Sequence, residues 1–250
     1  MSGHSKWSTI KRKKGAADAK RGQLFTRIGR ELAIAAREGG PDPEMNFRLR
    51  LVMDKAKANN MPKDNIERAI RRGAGLEKGE ALEELTYEGY GPGGVAFIVQ
   101  VVTDNKNRAV SDVRRLFTRH GGSLGETGCV SWLFSAKGLI STKSEGIDFD
   151  SLFEMAVEAG AEDVRTEDDT IEIYTNPEDF QSVRDYLDQQ GVALESASIT
   201  MVPSTMAQID DKSALQTMTL IDELEELEDV QNVYTNLDIS DELLEKYEAA

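Results

Sequence analysis

Residues 138–203 read GLISTKSEGIDFDSLFEMAVEAGAEDVRTEDDTIEIYTNPEDFQSVRDYLDQQGVALESASITMVP, and the order of its apolar patterns decides the fold. Short runs rich in β-branched residues at Leu139–Thr142, Asp163–Thr166, Thr170–Tyr174 and Ala193–Val202 predict strands. Between them, Phe149–Ala159 and Pro177–Gln190 space their apolar residues three and four apart and predict helices. Strand, helix, strand, strand, helix, strand is the split ferredoxin-like unit, complete within this one stretch.

Working outward, strand-like runs at Leu82–Tyr90 and Val95–Thr103 are joined by the turn Gly91-Pro92-Gly93-Gly94. A helix is expected over Arg108–His120, and a strand through Val130, Trp132 and Phe134. That half-complete β-β-α-β set finds its missing members at the C-terminus: a helix with Leu220, Ile221, Leu224 and Leu227, then a strand at Val230–Tyr234. Residues 79–135 with 204–250 therefore form one discontinuous α/β domain, and residues 136–203 are inserted in it. Neither shows the alternating βαβα order of a parallel nucleotide-binding sheet.

Residues 1–78 are different. Leu24, Phe25, Ile28, Leu32, Ala35 and Ala36 predict a helix over Gly22–Arg37, closed by Gly39-Gly40-Pro41. A second is expected over Pro43–Ala58 and a third from Pro62 to Gly73. The expected fold class is α+β in three domains: a basic helical N-terminal domain followed by two ferredoxin-like α/β domains, one inserted in the other.

Charge divides the chain at the same place. The whole sequence of 250 residues has a formal charge of −15, yet residues 1–78 hold 19 Lys+Arg against 9 Asp+Glu, or +10, and the remainder is −25. Such a molecule binds a polyanion at one end and is repelled by it elsewhere. The candidate nucleic-acid contacts are the arm residues Lys6, Trp7, Lys11, Arg12, Lys13 and Lys14, then Lys20, Arg21, Arg27, Arg30, Arg48, Arg50 and Lys63, and finally Arg68, Arg71 and Arg72. The last three fall at i, i+3 and i+4, on the face of the third helix opposite its apolar stripe. Trp7 among lysines suits base stacking or groove insertion; the alternative is that it packs on a neighbouring domain.

Other chemistry is poorly supplied. No apolar run approaches membrane-spanning length, and no secretory leader pattern opens the chain, so a cytoplasmic location is expected. One cysteine, Cys129, and two histidines, His4 and His120, offer no internal disulfide and no zinc cluster, so no cofactor or metal is expected. Residues 88–94 lack the Gly-Lys-Ser/Thr ending of a phosphate loop and read as a turn. His120 before Gly121-Gly122 reads as a helix C-cap, and Cys129 as a small buried residue at a strand start. Asp222, Glu223, Glu225, Glu226, Glu228 and Asp229 read as the wet face of an amphipathic helix. No nucleophile, base and oxyanion set assembles, so neither an enzyme nor a small-molecule substrate is expected.

Several stretches read together as words: Gly3-His4-Ser5-Lys6-Trp7, Asp18-Ala19-Lys20-Arg21, Ala35-Ala36-Arg37-Glu38-Gly39-Gly40, Asn60 through Ile70, Tyr87 through Gly94, Thr103 through Arg108, and His120-Gly121-Gly122 with Trp132. In these the chain closely resembles the YebC/PmpR family, whose mitochondrial members are translational activators of cytochrome oxidase subunit one. The resemblance implies a three-domain cytoplasmic protein without catalytic activity. It also implies one of two roles: a DNA-binding transcriptional regulator, or a ribosome-associated factor that binds ribosomal RNA and eases elongation through difficult sequences such as proline runs. In the second role the acidic remainder would meet basic ribosomal proteins. Phe47 stands where many relatives carry proline and Ala109 where threonine is common, and neither change touches the basic residues.

Overall fold

The computed structural model describes residues 18–248 apart from residues 80 and 168. It divides into two compact units, one spanning Trp132–Ser204 and the other formed by the residues up to Ser131 together with those from Thr205 onward.

The larger unit begins with three helices, α1 (Asp18–Gly39), α2 (Phe47–Ala58) and α3 (Lys63–Gly73). Their apolar stripes meet in a core of Ile28, Leu32, Ala35, Ala36, Leu49, Val52, Ala56, Met61 and Ile66. α2 begins four residues later than the periodicity predicts, because Asp42 takes the backbone of Glu44 and Met45 into a turn first. Asn46 then caps it. Its side-chain oxygen accepts from Leu49 N at 3.0 Å, and its amide donates to Ala35 O and Gly40 O, both at 2.8 Å. One buried side chain thus starts α2 and ties it to the end of α1. Residues 59–62 turn the chain from α2 into α3, with Asn60 in the left-handed region at φ 56°. α3 lies against α1 so closely that a Cβ on Gly73 would sit 2.1 Å from Ala33 O.

Beyond it run β1 (Glu83–Tyr90), β2 (Ala96–Thr103), α4 (Lys106–Arg119) and a two-residue β3 (Ser123–Leu124). The smaller unit follows: β4 (Phe134–Lys143), α5 (Phe149–Ala159), β5 (Asp163–Glu167), β6 (Thr170–Thr175), α6 (Phe180–Gln189) and β7 (Leu194–Pro203). The chain then returns to the larger unit with α7 (Asp211–Glu226), β8 (Val230–Thr235) and α8 (Asp241–Glu248).

Both sheets are antiparallel throughout, ordered β3-β1-β2-β8 and β5-β6-β4-β7. They share one ferredoxin-like arrangement: β4-α5-β5 crosses over β6 just as β2-α4-β3 crosses over β1. Only the threading differs, since the larger sheet opens with its central hairpin. β2 is buried along almost its whole length. Phe97, Val99 and Val101 pack with α4 and α7 on one face, through Val113, Phe117, Met218 and Leu224. Alternation sends Ile98 and Val102 to the other face, where α1 approaches β8. The smaller unit centres on Ile140, Leu152, Ile171, Ile173, Phe180 and Val183.

Two local expectations are corrected. Val130 and Trp132 do not lie on a strand: Ser131–Leu133 form a single 3-10 turn, and β4 begins at Phe134 and runs unbroken to Lys143. The reason lies in Glu88, described below, which takes the amides a strand would need. Cys129 accordingly sits half-buried in a loop, its N–H bonded to Glu126 O, not at a strand start.

Candidate nucleic-acid interface

Among the described residues, α3 gathers four exposed cations on one short helix. Ile66 faces the core, and Lys63, Arg68, Arg71 and Arg72 are exposed on the remaining circumference. Arg68 and Arg72 have no ion-pair partner among the described residues; Arg71 lies 3.1 Å from Glu77, and Lys63 lies 3.5 Å from Glu67 with its side chain 87% exposed. These loose surface pairs cost little to exchange for phosphate. Gly75, at φ +74°, ends the helix, and Leu76 N donates to Arg71 O. Arg21 is exposed on the first turns of α1. Lys6, Trp7, Lys11, Arg12, Lys13 and Lys14 lie outside the described residues, as does the side chain of Lys20.

The structure does not bring the other candidates to this surface. Arg30 turns inward, and its guanidinium donates to Asp229 at 2.6 Å, to Glu228 Oε1 at 3.1 Å and to the carbonyls of Val102 and Glu228. Arg27, one turn earlier, is half-buried near Glu31 and Glu226; burial lowers its pKa, with the two carboxylates opposing. Its Nε is buried with no hydrogen-bond partner among the described residues. Arg48 bridges Glu38 at 2.6 Å and Glu84 at 2.7 Å. Burial alone would lower its pKa, but the two carboxylates prevail and raise it. Arg50 is half-buried.

Arg30 belongs instead to a cluster around Asp229. That carboxylate, buried at 7% residue exposure, also accepts from Arg108 Nη2 at 2.9 Å and from Thr103 Oγ1 at 3.0 Å. Arg108 adds Asp104 at 2.6 Å. The hydrogen bonds that Arg108 donates to Asp229 and Asp104 raise its pKa. The cluster ties α1 to the end of β2 and the start of β8, fixing the helical domain to the α/β domain. Asp229 therefore does not lie on the wet face of a helix, since α7 ends at Glu226 and the chain turns inward before β8. Arg108 was visible in a motif and Asp229 in an acidic run, but nothing local announced their meeting across 121 residues.

A second carboxylate is used the same way. Glu88 on β1 accepts from Gly128 N at 2.8 Å, Val130 N at 2.9 Å and Ser131 N at 2.8 Å. Burial pushes its pKa up, but these amides and the Ser131 hydroxyl outweigh that and hold it below the ordinary value. The loop they shape leads into Trp132, which is 71% exposed. Residues 91–94 form the turn expected, and residues 88–90 complete β1. His120 caps α4, as its position before Gly121 predicts.

The smaller unit is unsuited to phosphate. Its 73 residues hold 4 Lys+Arg against 16 Asp+Glu. Tyr174 on a central strand could resemble a base-stacking platform, but its hydroxyl donates to buried Glu172 at 2.5 Å and Arg165 covers its ring at 5.0 Å. Among the described residues no group of three or more His, Cys, Asp or Glu could hold a metal ion, and no helix is long and apolar enough to cross a membrane.

The chain matches two family models, described as the TACO1/YebC protein N-terminal domain over residues 5–76 and the TACO1/YebC second and third domain over residues 82–237. It is 57% identical over 246 residues to a probable transcriptional regulatory protein of Geotalea uraniireducens, covering 98% of this chain and 99% of that one. A probable transcriptional regulatory protein of Syntrophus aciditrophicus is 55% identical over 250 residues, the full length of both. Among solved structures, a conserved hypothetical protein of Aquifex aeolicus superposes with a TM-score of 0.82 at 49% identity, over 91% of this chain and 94% of that one.

Proposed function

The chain belongs to the TACO1/YebC family, and from that premise we propose that it is a non-enzymatic, cytoplasmic, DNA-binding transcriptional regulator whose first 78 residues form the contact surface. The single observation that carries this reading is the face of α3: Arg68, Arg71 and Arg72 are exposed together, and two of them lack an ion-pair partner among the described residues. They stand on a helix that follows α2 after a four-residue turn, with both helices packed on α1, a support from which a helix can be offered to a groove. The names of the relatives point the same way. Arg30 acts as a positioning residue here, since its guanidinium is held by Asp229 and Glu228 and ties α1, on which α3 packs, to the α/β domain. The arm through Lys14 adds sequence-independent phosphate contacts.

The test is a salt titration of duplex DNA binding by the full chain and by the triple variant Arg68→Ala, Arg71→Ala, Arg72→Ala. Each lost phosphate contact lowers the slope of log K against log salt by about 1, so the variant should lose roughly 2 to 3. An unchanged slope overturns the assignment of α3. Binding of folded ribosomal RNA with no measurable affinity for duplex DNA replaces the transcriptional reading with the translational one.

A further inference from the structure

α5 of the smaller unit leaves a row of large apolar side chains uncovered. Phe149, Phe153 and Val157 are 36%, 42% and 47% exposed, and the two rings touch, 6.1 Å apart between centroids. They are spaced four apart, so they form one stripe along the helix. Successive steps of about 100° put buried Leu152 and Ala156 on one side of it and Asp150, Glu154 and Glu158, all exposed, on the other. The stripe is thus a strip of core continued into solvent and edged on its outer side by a row of three carboxylates.

A contiguous aromatic and aliphatic stripe on a folded surface marks a contact. Its acidic edge selects the partner. A nucleic acid or an anionic membrane surface is repelled, and more so by the excess of 12 acidic side chains in residues 132–204. A second copy docking antiparallel through the same stripe would bring the carboxylate row of one α5 against that of the other, and in either orientation two such acidic units repel each other. We infer that this surface receives a basic amphipathic helix of another protein, its apolar row laid on Phe149, Phe153 and Val157 and its lysines or arginines against Asp150, Glu154 and Glu158. This is helix-to-helix recognition, with anchors at i, i+4 and i+8 and a charge row that fixes orientation. It is independent of what the helical domain binds and gives the protein a second, chemically opposite partner.

The experiment uses the full chain and two synthetic amphipathic peptides of about 18 residues, alike in their leucine row but flanked by lysines in one and glutamates in the other. Binding is followed by fluorescence anisotropy, and self-association by sedimentation. The wild type should bind the lysine peptide and not the glutamate peptide. Phe153→Asp should weaken binding about tenfold or more. A charge-reversed variant, Glu154→Lys with Glu158→Lys, should exchange the preference and take the glutamate peptide. These side chains are exposed, and unchanged amide spectra of β4–β7 verify that each variant keeps its fold. Lysine-peptide binding that survives Phe153→Asp undiminished is diffuse attraction to an acidic protein and overturns the inference. Retained preference after charge reversal overturns it too, as does a wild-type dimer that Phe153→Asp dissociates.

Discussion

Asp229→Asn tests how the helical domain is held. The substitution keeps an acceptor in place and removes one charge from a carboxylate whose side chain is 10% exposed, opposite Arg30 at 13%. Breaking a buried ion pair outright costs about 3–5 kcal/mol. Here Arg30 retains Glu228 and the carbonyls of Val102 and Glu228, so it is not stranded, while the bond to half-exposed Arg108 is screened by solvent and adds little. The expected loss is about 2–3 kcal/mol, located at the junction of α1 with β2 and β8. A global melt would blur this, because a multidomain chain does not unfold in one step. Hydrogen exchange resolved by segment is the suitable assay. At about 1.4 kcal/mol per decade, amides at the end of β2 and the start of β8 should exchange roughly 30- to 160-fold faster, and those of β4–β7 at the wild-type rate. Asp104→Asn, which touches only the exposed side of the cluster, should have a smaller effect. Unchanged exchange at β8, or equal acceleration in both units, would refute the clamp.

Glu88→Gln should loosen residues 125–131 by about 1–3 kcal/mol, since one amide oxygen cannot serve three backbone donors as a carboxylate does. Because the folded carboxyl is held below its ordinary value, its contribution is full above the unfolded pKa and is lost as pH falls through the folded one. Loop protection in the wild type should therefore decline on acidification, and the Gln variant should lose that pH dependence. Gly73→Ala sets propensity against geometry: alanine favours a helix by about 1 kcal/mol, but its Cβ would meet the Ala33 carbonyl at 2.1 Å. Destabilisation of about 1–3 kcal/mol in urea is expected, and any gain in midpoint would refute the close approach of α3 to α1. Asn46→Ala removes a cap and leaves two carbonyls short of a donor, so α2 should begin to fray at a cost of about 1–2 kcal/mol, seen as lost protection at Leu49 and Arg50.

Much of the architecture lies in local patterns. Phe149–Ala159 is a helix by its spacing and Gly160 stops it in the left-handed region at φ 105°; both can be seen without a partner. The same holds for β2, whose apolar run Val95–Val102, broken only by Gln100, announces a strand. The fold class, α+β with one ferredoxin-like domain inserted in another, follows from the order of such elements, and the membership of a family from their words. Where the reading failed, a distant group had taken over the backbone: Glu88 claims the amides of Val130 and Ser131, and no periodicity in residues 128–134 could reveal it.

Residue types and spacing determine where helices and strands form, which faces are apolar, and that positive charge gathers in the first third. They do so because hydrogen bonding within a helix, side-chain alternation and charge density are properties of neighbours. Whether a given arginine meets water or a carboxylate is settled only by folding. Arg30 and Arg68 are indistinguishable as cations in the sequence, yet one is consumed by Asp229, 199 residues away, and the other is left exposed. Burial of a charge requires a counter-charge brought from elsewhere, and which acid arrives is decided by the return of β8 to β2, not by anything beside the arginine in the chain.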